Sequence, residues 1–165
     1  MRAKLIIATV LASLATMAVL NVLPAAAVDP PAPVPEALGP RSVFPDHVDI
    51  KIKLEGHHGM QVINIDDPSR TAVVKFTLAP GARFPWHTHA GPVVVNVAVG
   101  DFTFVDSDTC GETQYTAGQA FVDAGHGHVH TAYNPSTTTT TVVYATFFEA
   151  PASGPLSIPA PDPGC

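Results

Sequence analysis

Short runs of β-branched and aromatic residues restrict the folds open to this chain more than any other feature. Gly, Pro and Asp separate these runs, a pattern typical of strands joined by turns. No segment beyond residue 27 shows a helical period. Many short strands at regular spacing predict an all-β sandwich or barrel. The runs are HVDIKIKL, MQVINI, TAVVKFTL, VVVNVAV, FTFV, TQYT, AFV, VHTAY and TTTVVYATFF.

A pair of histidines lies just before the valine-rich run. His87 and His89 are two residues apart, and residues i and i+2 of a strand project from one face, roughly 6 to 7 Å apart. One cation can therefore lie between the two imidazoles, and neutral histidine is the commonest metal ligand near neutral pH. The alternative for an isolated His-x-His is a pair that faces solvent or a polar rim.

The residues around this pair form a longer pattern. From Gly81 to Gly100 the spacing is G-x5-H-x-H-x3-V-x6-G, in which Val93 follows the two histidines. This pattern resembles the first motif of the cupin family, which has a glutamate where this chain has Val93.

A second group of residues approximates the second cupin motif, G-x5-P-x-G-x2-H-x3-N. The spacing among Gly127, His130 and Asn134 is kept. Gly125 stands at the family's proline, and Gly118 lies one residue too far away. The second match is therefore looser than the first.

The resemblance to cupins implies both a fold and a set of ligands. The fold is an all-β, double-sheet jelly-roll barrel, here expected over residues 43–149. In cupins the histidines of the two motifs face each other inside the barrel. The resemblance therefore implies that His87, His89 and His130 bind a metal ion.

Strand parity within the chain supports that placement. Val93, Val95, Val97 and Val99 share the phase of the two histidines, provided that Gly91 and Pro92 do not insert a bulge, so they are expected to form an apolar wall around the polar cluster. Asn96 has the opposite phase and is expected to point away from the pocket.

The valine at position 93 changes the chemistry expected of such a site. Three neutral imidazoles leave a divalent ion with more positive charge and at least one open position. These features favour a small anionic substrate, and Fe, Zn, Cu, Mn or Ni over Mg or Ca. With zinc the site would support Lewis-acid or bound-water chemistry, and with iron it resembles the centres of thiol dioxygenases. The alternative is that Val93 marks the loss of metal binding.

The sequence thus favours a metal-binding cupin with a small-molecule pocket at the metal. If the protein is an enzyme, we expect a metal-dependent oxidase or dioxygenase. The alternatives are a non-enzymatic extracellular module that binds a metal or small ligand, and a metal-free structural barrel. Cupins often dimerise through their sheets, so the resemblance also suggests a homodimer.

Four further histidines have less certain roles. His126 and His128 share the phase of His130, so one of them could replace the missing carboxylate or act as an acid or base, with His128 the candidate catalytic residue. The alternative places His126 in the AGHG turn and His128 at the rim. His57 and His58 lie between glycines and are expected at the surface.

The amino terminus has the pattern of a secretory signal peptide. Residues 1–27 begin with Arg2 and Lys4, continue through an apolar run and end in three alanines. An uncleaved membrane anchor is the alternative. Cleavage would remove two cations and change the formal charge from -6 to about -8, which argues against nucleic acid and membrane surfaces as partners. The prediction is a secreted protein that binds a small molecule.

Two cysteines and two proline-rich segments complete the organisation. Cys110 and Cys165 are an even count in an exported chain and predict a disulfide, with a free thiol or a sulfur metal ligand as the alternative. Residues 28–42 are expected to form an extended arm, and residues 150–165 a tail along the barrel surface.

Overall fold

The computed structural model describes residues 29–56, 59–66 and 68–165. The predicted signal peptide and the pair His57–His58 lie outside the described residues. Within these ranges no helix has the length and apolar character needed to cross a membrane. The described strands are β1 Val34–Ala37, β2 Ser42–Val43, β3 Asp49–Gly56, β4 Gly59–Asp66, β5 Arg70–Leu78, β6 His87–Thr88, β7 Val93–Val99, β8 Asp101–Asp106, β9 Glu112–Thr116, β10 Ala120–Asp123, β11 His130–Tyr133, β12 Thr141–Phe147 and β13 Ile158–Pro159.

Two antiparallel sheets form the barrel. The first has the order β1-β5-β12-β7-β10, with β2 also paired to β5, and the second has the order β13-β6-β11-β8-β9. Strands β3 and β4 form a separate two-stranded hairpin. Neighbours within each sheet are mostly distant in sequence, so the chain crosses repeatedly between the sheets. The predicted all-β, double-sheet barrel is confirmed.

The hydrophobic core lies between the two sheets. Strand β12 shows how the sequence builds it, because Val143, Ala145 and Phe147 are buried while the residues between them are more exposed. Successive side chains of a strand point to opposite faces, so alternate residues enter the core. The buried core residues are Ala72, Val74, Leu78, Ala82, Val93, Val95, Val97, Phe102, Ala132, Val143, Ala145, Phe147 and Ala150.

A bulge in β7 corrects the predicted phase of its last valine. Val143 pairs with Val97, but the preceding residue of β12 pairs with Val99, so Ala98 has no partner in β12. An extra residue of this kind reverses the inside-outside alternation. Val97 is accordingly 2% exposed and Val99 48% exposed, so Val99 does not belong to the apolar wall. Asn96 points outward as predicted.

The residues that end the two histidine motifs, Gly100 in the first and Asn134 in the second, have structural roles. Asn134 is fully buried, and its amide nitrogen donates to three backbone carbonyls, including those of Leu78 and Thr139. Gly100 has a φ of 72°, a left-handed conformation that favours glycine. A Cβ at Gly100 would lie 2.9 Å from the carbonyl oxygen of Thr140. These residues hold the turns that position the histidine strands.

Both proline-rich segments run along the barrel. In the arm, β1 pairs with β5, and in the tail, β13 pairs with β6, the strand that carries His87. The Arg41 guanidinium donates hydrogen bonds to two carbonyl oxygens of the tail, one of them that of Pro151. Cys110 and Cys165 form a disulfide with a Cα–Cα distance of 5.4 Å, which fastens the tail to the loop between β8 and β9.

Candidate metal centre

Three buried histidines meet at one end of the second sheet. His87 in β6 pairs directly with His130 in β11, and His89 follows the end of β6. One ring nitrogen from each of the three histidines lies within 4.8 Å of the others. The side chains expose only 5 to 6% of their surface. The structure therefore brings together all three histidines that the motifs single out.

Backbone carbonyls hold each of the three imidazole rings in one orientation. The Nδ1 atom of His87 lies 2.7 Å from the carbonyl oxygen of Pro85, and that of His89 lies 2.9 Å from the oxygen of Leu156. The Nδ1 atom of His130 lies 3.4 Å from the backbone carbonyl oxygen of His128. A carbonyl oxygen only accepts hydrogen bonds, so each Nδ1 carries the proton. Each Nε2 is left with a free lone pair, the arrangement usual for metal-binding histidines.

Burial keeps these rings neutral. Burial is the largest effect, and together with the neighbouring histidines it lowers the pKa of His87 to about 4 and that of His130 to about 3, although Asp123 opposes the shift at His130. Burial also lowers the pKa of His89. Neutral imidazole is the form that binds a metal ion, so little proton competition is expected near neutral pH.

Phenylalanines surround the three histidines. Phe104 stacks on His130 at a ring separation of 4.9 Å, and Phe147 meets His89 edge-on at 5.2 Å. The cavity between these rings has a volume of about 40 Å³. Val93 and the other residues of the first sheet close its opposite side. Its lining residues are Phe76, Phe84, His87, His89, Val93, Val95, Phe102, Phe104, Phe121, Asp123, His130, Ala132, Val143, Ala145, Phe147 and Ser157.

The structure adds a carboxylate that the sequence analysis missed. Asp123, at the end of β10, is 2% exposed and lines the cavity. Burial alone would raise its pKa, but the hydrogen bond from His128 and the nearby imidazoles outweigh burial and lower it. No local signal in the sequence marks Asp123, because the predicted run AFV ends at Val122 and the position of Asp123 depends on how β10 pairs with β7.

The structure places His128 outside this cavity, between two carboxylates. Its Nδ1 lies 2.9 Å from Oδ1 of Asp123, and its Nε2 lies 2.7 Å from Oδ2 of Asp106. The hydrogen bond to Asp123 is the largest of the effects that raise the pKa of His128 to about 9. His128 is therefore a cation near neutral pH, a state opposed to the role of general base.

His126 also stays away from the three histidines. It lies in the turn after β10 with a φ of 51°, and its Nε2 is 2.5 Å from a carboxylate oxygen of Glu149. Neither His126 nor His128 lines the cavity, whereas the carboxylate of Asp123 does.

The donor set fits a divalent transition metal. Three neutral imidazoles with fixed Nδ1 protons are typical ligands of such ions, and a buried carboxylate beside them reduces the charge that the ion brings into the barrel. The fit rests on His87, His89 and His130, and a carboxylate oxygen of Asp123 lies 3.9 Å from Nε2 of His89.

Comparison with solved structures finds cupin-type folds. The chain is similar to a cupin domain protein from Bordetella pertussis Tohama I, with a TM-score of 0.48 and 18% identity over 74% of this chain and 98% of that one. It is also similar to a protein with a double-stranded β-helix domain from Klebsiella pneumoniae, with a TM-score of 0.45 and 19% identity over 67% of this chain and 86% of that one.

A cupin-like protein from Thermotoga maritima has a TM-score of 0.45 and 20% identity over 51% of this chain and 61% of its own length. No family model matches the chain, and no curated protein matches it in sequence. The described part of the chain is an all-β barrel of two antiparallel sheets, in which the histidines of the two motifs meet.

Proposed function

We propose that this protein binds one divalent transition metal through the Nε2 atoms of His87, His89 and His130. The observation that carries the proposal is the set of three Nδ1–H groups held by backbone carbonyls, because it leaves three Nε2 lone pairs free in one buried cluster. Fe, Zn, Cu, Mn and Ni are the ions that such donors favour.

The cavity limits what can bind beside the ion. Its volume of about 40 Å³ corresponds to only a few water molecules, at roughly 10 to 15 Å³ for each water in this measure. Dioxygen and similarly small groups fit this space, whereas a sugar does not. The cavity thus supports a small ligand whose body is apolar.

The proposed activity is the oxidation of a small substrate by dioxygen. Iron, when bound, would supply the one-electron chemistry that dioxygen requires. The phenylalanines give the cavity an apolar lining, and the carbonyl groups fix the rings of the histidines. The carboxylate of Asp123 lowers the net positive charge of a site that holds a divalent ion, so we propose small neutral substrates beside the anionic one expected from the sequence.

A second candidate function is metal binding without turnover. The observation that favours it is the small cavity volume, because a buried ion with little room beside it is retained rather than offered to a substrate. The disulfide between Cys110 and Cys165 supports an oxidising compartment for either function, and we propose that the protein is secreted.

Dioxygen uptake separates the two functions. The purified protein loaded with Fe²⁺ would be assayed in an oxygen electrode against a panel of small anionic and neutral thiols, alcohols and aldehydes, with the His130→Ala variant as the control. Uptake that depends on substrate, on iron and on His130 supports the oxidase. Tight binding of Fe²⁺, Zn²⁺ or Cu²⁺ with no uptake for any member of the panel supports the binding module.

A further inference from the structure

A carboxylate on the first sheet faces the histidines of the second. Asp123 pairs with Val93 across β10 and β7, and cross-strand partners project from the same face of a sheet. Val93 is the position at which the first cupin motif has its glutamate. The chain therefore has a carboxylate directly beside the position from which the family's carboxylate has been lost.

The two oxygens of Asp123 have different surroundings. Oδ1 accepts the hydrogen bond from His128 at 2.9 Å. Oδ2 is buried and has no hydrogen-bond partner among the residues that the structure describes. Nε2 of His89 lies 3.9 Å from Oδ2, and Nδ1 of His130 lies 3.6 Å from Oδ1.

Two acceptors therefore face each other inside the barrel. Nδ1 of His89 donates its hydrogen to the carbonyl oxygen of Leu156, so Nε2 of the neutral ring is unprotonated and carries a lone pair. The carboxylate oxygen is an acceptor as well, and two buried acceptors repel each other unless a donor or a cation lies between them. A metal ion bound to Nε2 of His89 would convert this repulsion into attraction.

We propose that Asp123, through Oδ2, is the fourth protein ligand of the ion that His87, His89 and His130 bind. This inference rests on the proposed function. The ligand set is then three nitrogens and one oxygen, with the carboxylate supplied by the cross-strand neighbour of the usual position. His128 is a positioning residue, because its hydrogen bond to Oδ1 leaves Oδ2 directed at the histidines.

Asp123→Asn is the variant that tests this proposal. Asp106→Asn is the matched control, since it removes the other carboxylate partner of His128 without touching the cavity. A rescue variant combines Asp123→Asn with Val93→Glu, which returns the carboxylate to the family's position. Affinity for Zn²⁺ would be measured by competition with a chromophoric chelator, and the visible spectrum of bound Co²⁺ would report the ligand set.

We expect the affinity of Asp123→Asn for Zn²⁺ to fall by about 100-fold or more, the upper end of the effect known for outer-shell partners. Its Co²⁺ spectrum should change as well. The Asp106→Asn control should stay within about 3-fold of the wild type, and Val93→Glu should recover at least about 10-fold in the rescue variant. A loss of affinity with an unchanged Co²⁺ spectrum would overturn the proposal, because Asp123 would then act outside the coordination sphere. Unchanged affinity would overturn it too.

The wild-type protein provides a second test that needs no folded variant. Addition of Zn²⁺ should shift one carboxylate stretching band in the infrared difference spectrum, and the absence of any shift would contradict ligation by Asp123. Wild-type protein that binds Zn²⁺ without such a shift would refute the fourth ligand and leave the three-histidine site standing. Wild-type protein that binds no metal at all would refute both.

Discussion

His128 is a cation held between two carboxylates, and this arrangement links folding to pH. Asp123 and Asp106 raise the pKa of His128 from 6.5 to about 9. A group whose pKa is raised by folding stabilises the native state fully below its unfolded pKa, and this contribution is lost as the pH rises through the folded pKa. The relevant window therefore runs from 6.5 to about 9.

The apoprotein is accordingly expected to lose stability on the alkaline side. Between pH 6.5 and 9 the free energy of unfolding should fall by a few kcal/mol, on the order of 1.4 for each pKa unit. Urea titrations at several pH values would measure this slope. The His128→Gln variant should be less stable at neutral pH and should lack the slope. An equal slope in both proteins would show that His128 is not its source.

The cluster of three histidines could be predicted from sequence, whereas the nearby carboxylate could not. The spacings around His87, His89 and His130 are local patterns that a strand converts directly into a shared face. The relation of Asp123 to Val93 depends on the register between β10 and β7, which no local pattern records. His128 shows the same limit, because its pKa depends on Asp106 in another strand.

At the level of elements, one close backbone contact holds the turn after β10 against the entry to β7. Gly125 has a φ of 60°, and a Cβ there would overlap the backbone of Gly91 and lie 2.9 Å from the nitrogen of Pro92. Glycine is needed here for its conformation and for its size. The contact holds the loop that precedes Val93 against the loop that follows Asp123.

Gly125→Ala should therefore destabilise the protein strongly. We expect a loss of about 3 kcal/mol or more, because strain at a left-handed residue adds to steric overlap. Gly118→Ala is the control, since Gly118 also has a positive φ, of 90°, but no atom lies within 4 Å of the Cβ position. Its cost should be about 1 to 2 kcal/mol. Thermal and urea unfolding would compare the two variants, and equal losses would contradict the role of the Gly91 contact.

The longer strands could be predicted from sequence and the short ones could not. All nine β-rich runs form strands, since alternation over several residues survives small errors in their bounds. Strands β2, β6 and β13 have only two residues, too few for a period to appear, and β1 lies in the proline-rich arm, where no β-rich run marks a strand. The bulge at Ala98 depends on how β7 pairs with β12, so the outward orientation of the Val99 side chain could not be predicted from sequence.

For the molecule as a whole, the tail connects the disulfide to the metal centre. Cys165 is joined to Cys110, β13 pairs with the strand of His87, and the oxygen of Leu156 accepts the hydrogen bond from His89. A loop that spans 55 residues is closed by this disulfide. The disulfide therefore restrains the tail, and with it the carbonyl group of Leu156 that accepts the hydrogen bond from His89.

Loss of the disulfide should affect stability and metal binding together. The double variant Cys110→Ser, Cys165→Ser should lose roughly 4 kcal/mol of unfolding free energy by the chain-entropy account. Its affinity for Zn²⁺ should fall by about 10-fold, because the tail would hold His89 less firmly. Wild-type protein under reducing conditions should match the variant. Reduced stability with unchanged affinity would show that the tail does not position His89.

The metal content of the purified protein tests the central claim most directly. Elemental analysis would compare the wild type with the double variant His87→Ala, His89→Ala, and with His126→Ala, which changes a histidine outside the cavity. The account predicts about one transition-metal ion per chain in the wild type and in His126→Ala, and almost none in the double variant. No metal in the wild type after reconstitution with Fe²⁺, Zn²⁺ or Cu²⁺, or equal metal in the double variant, would contradict it.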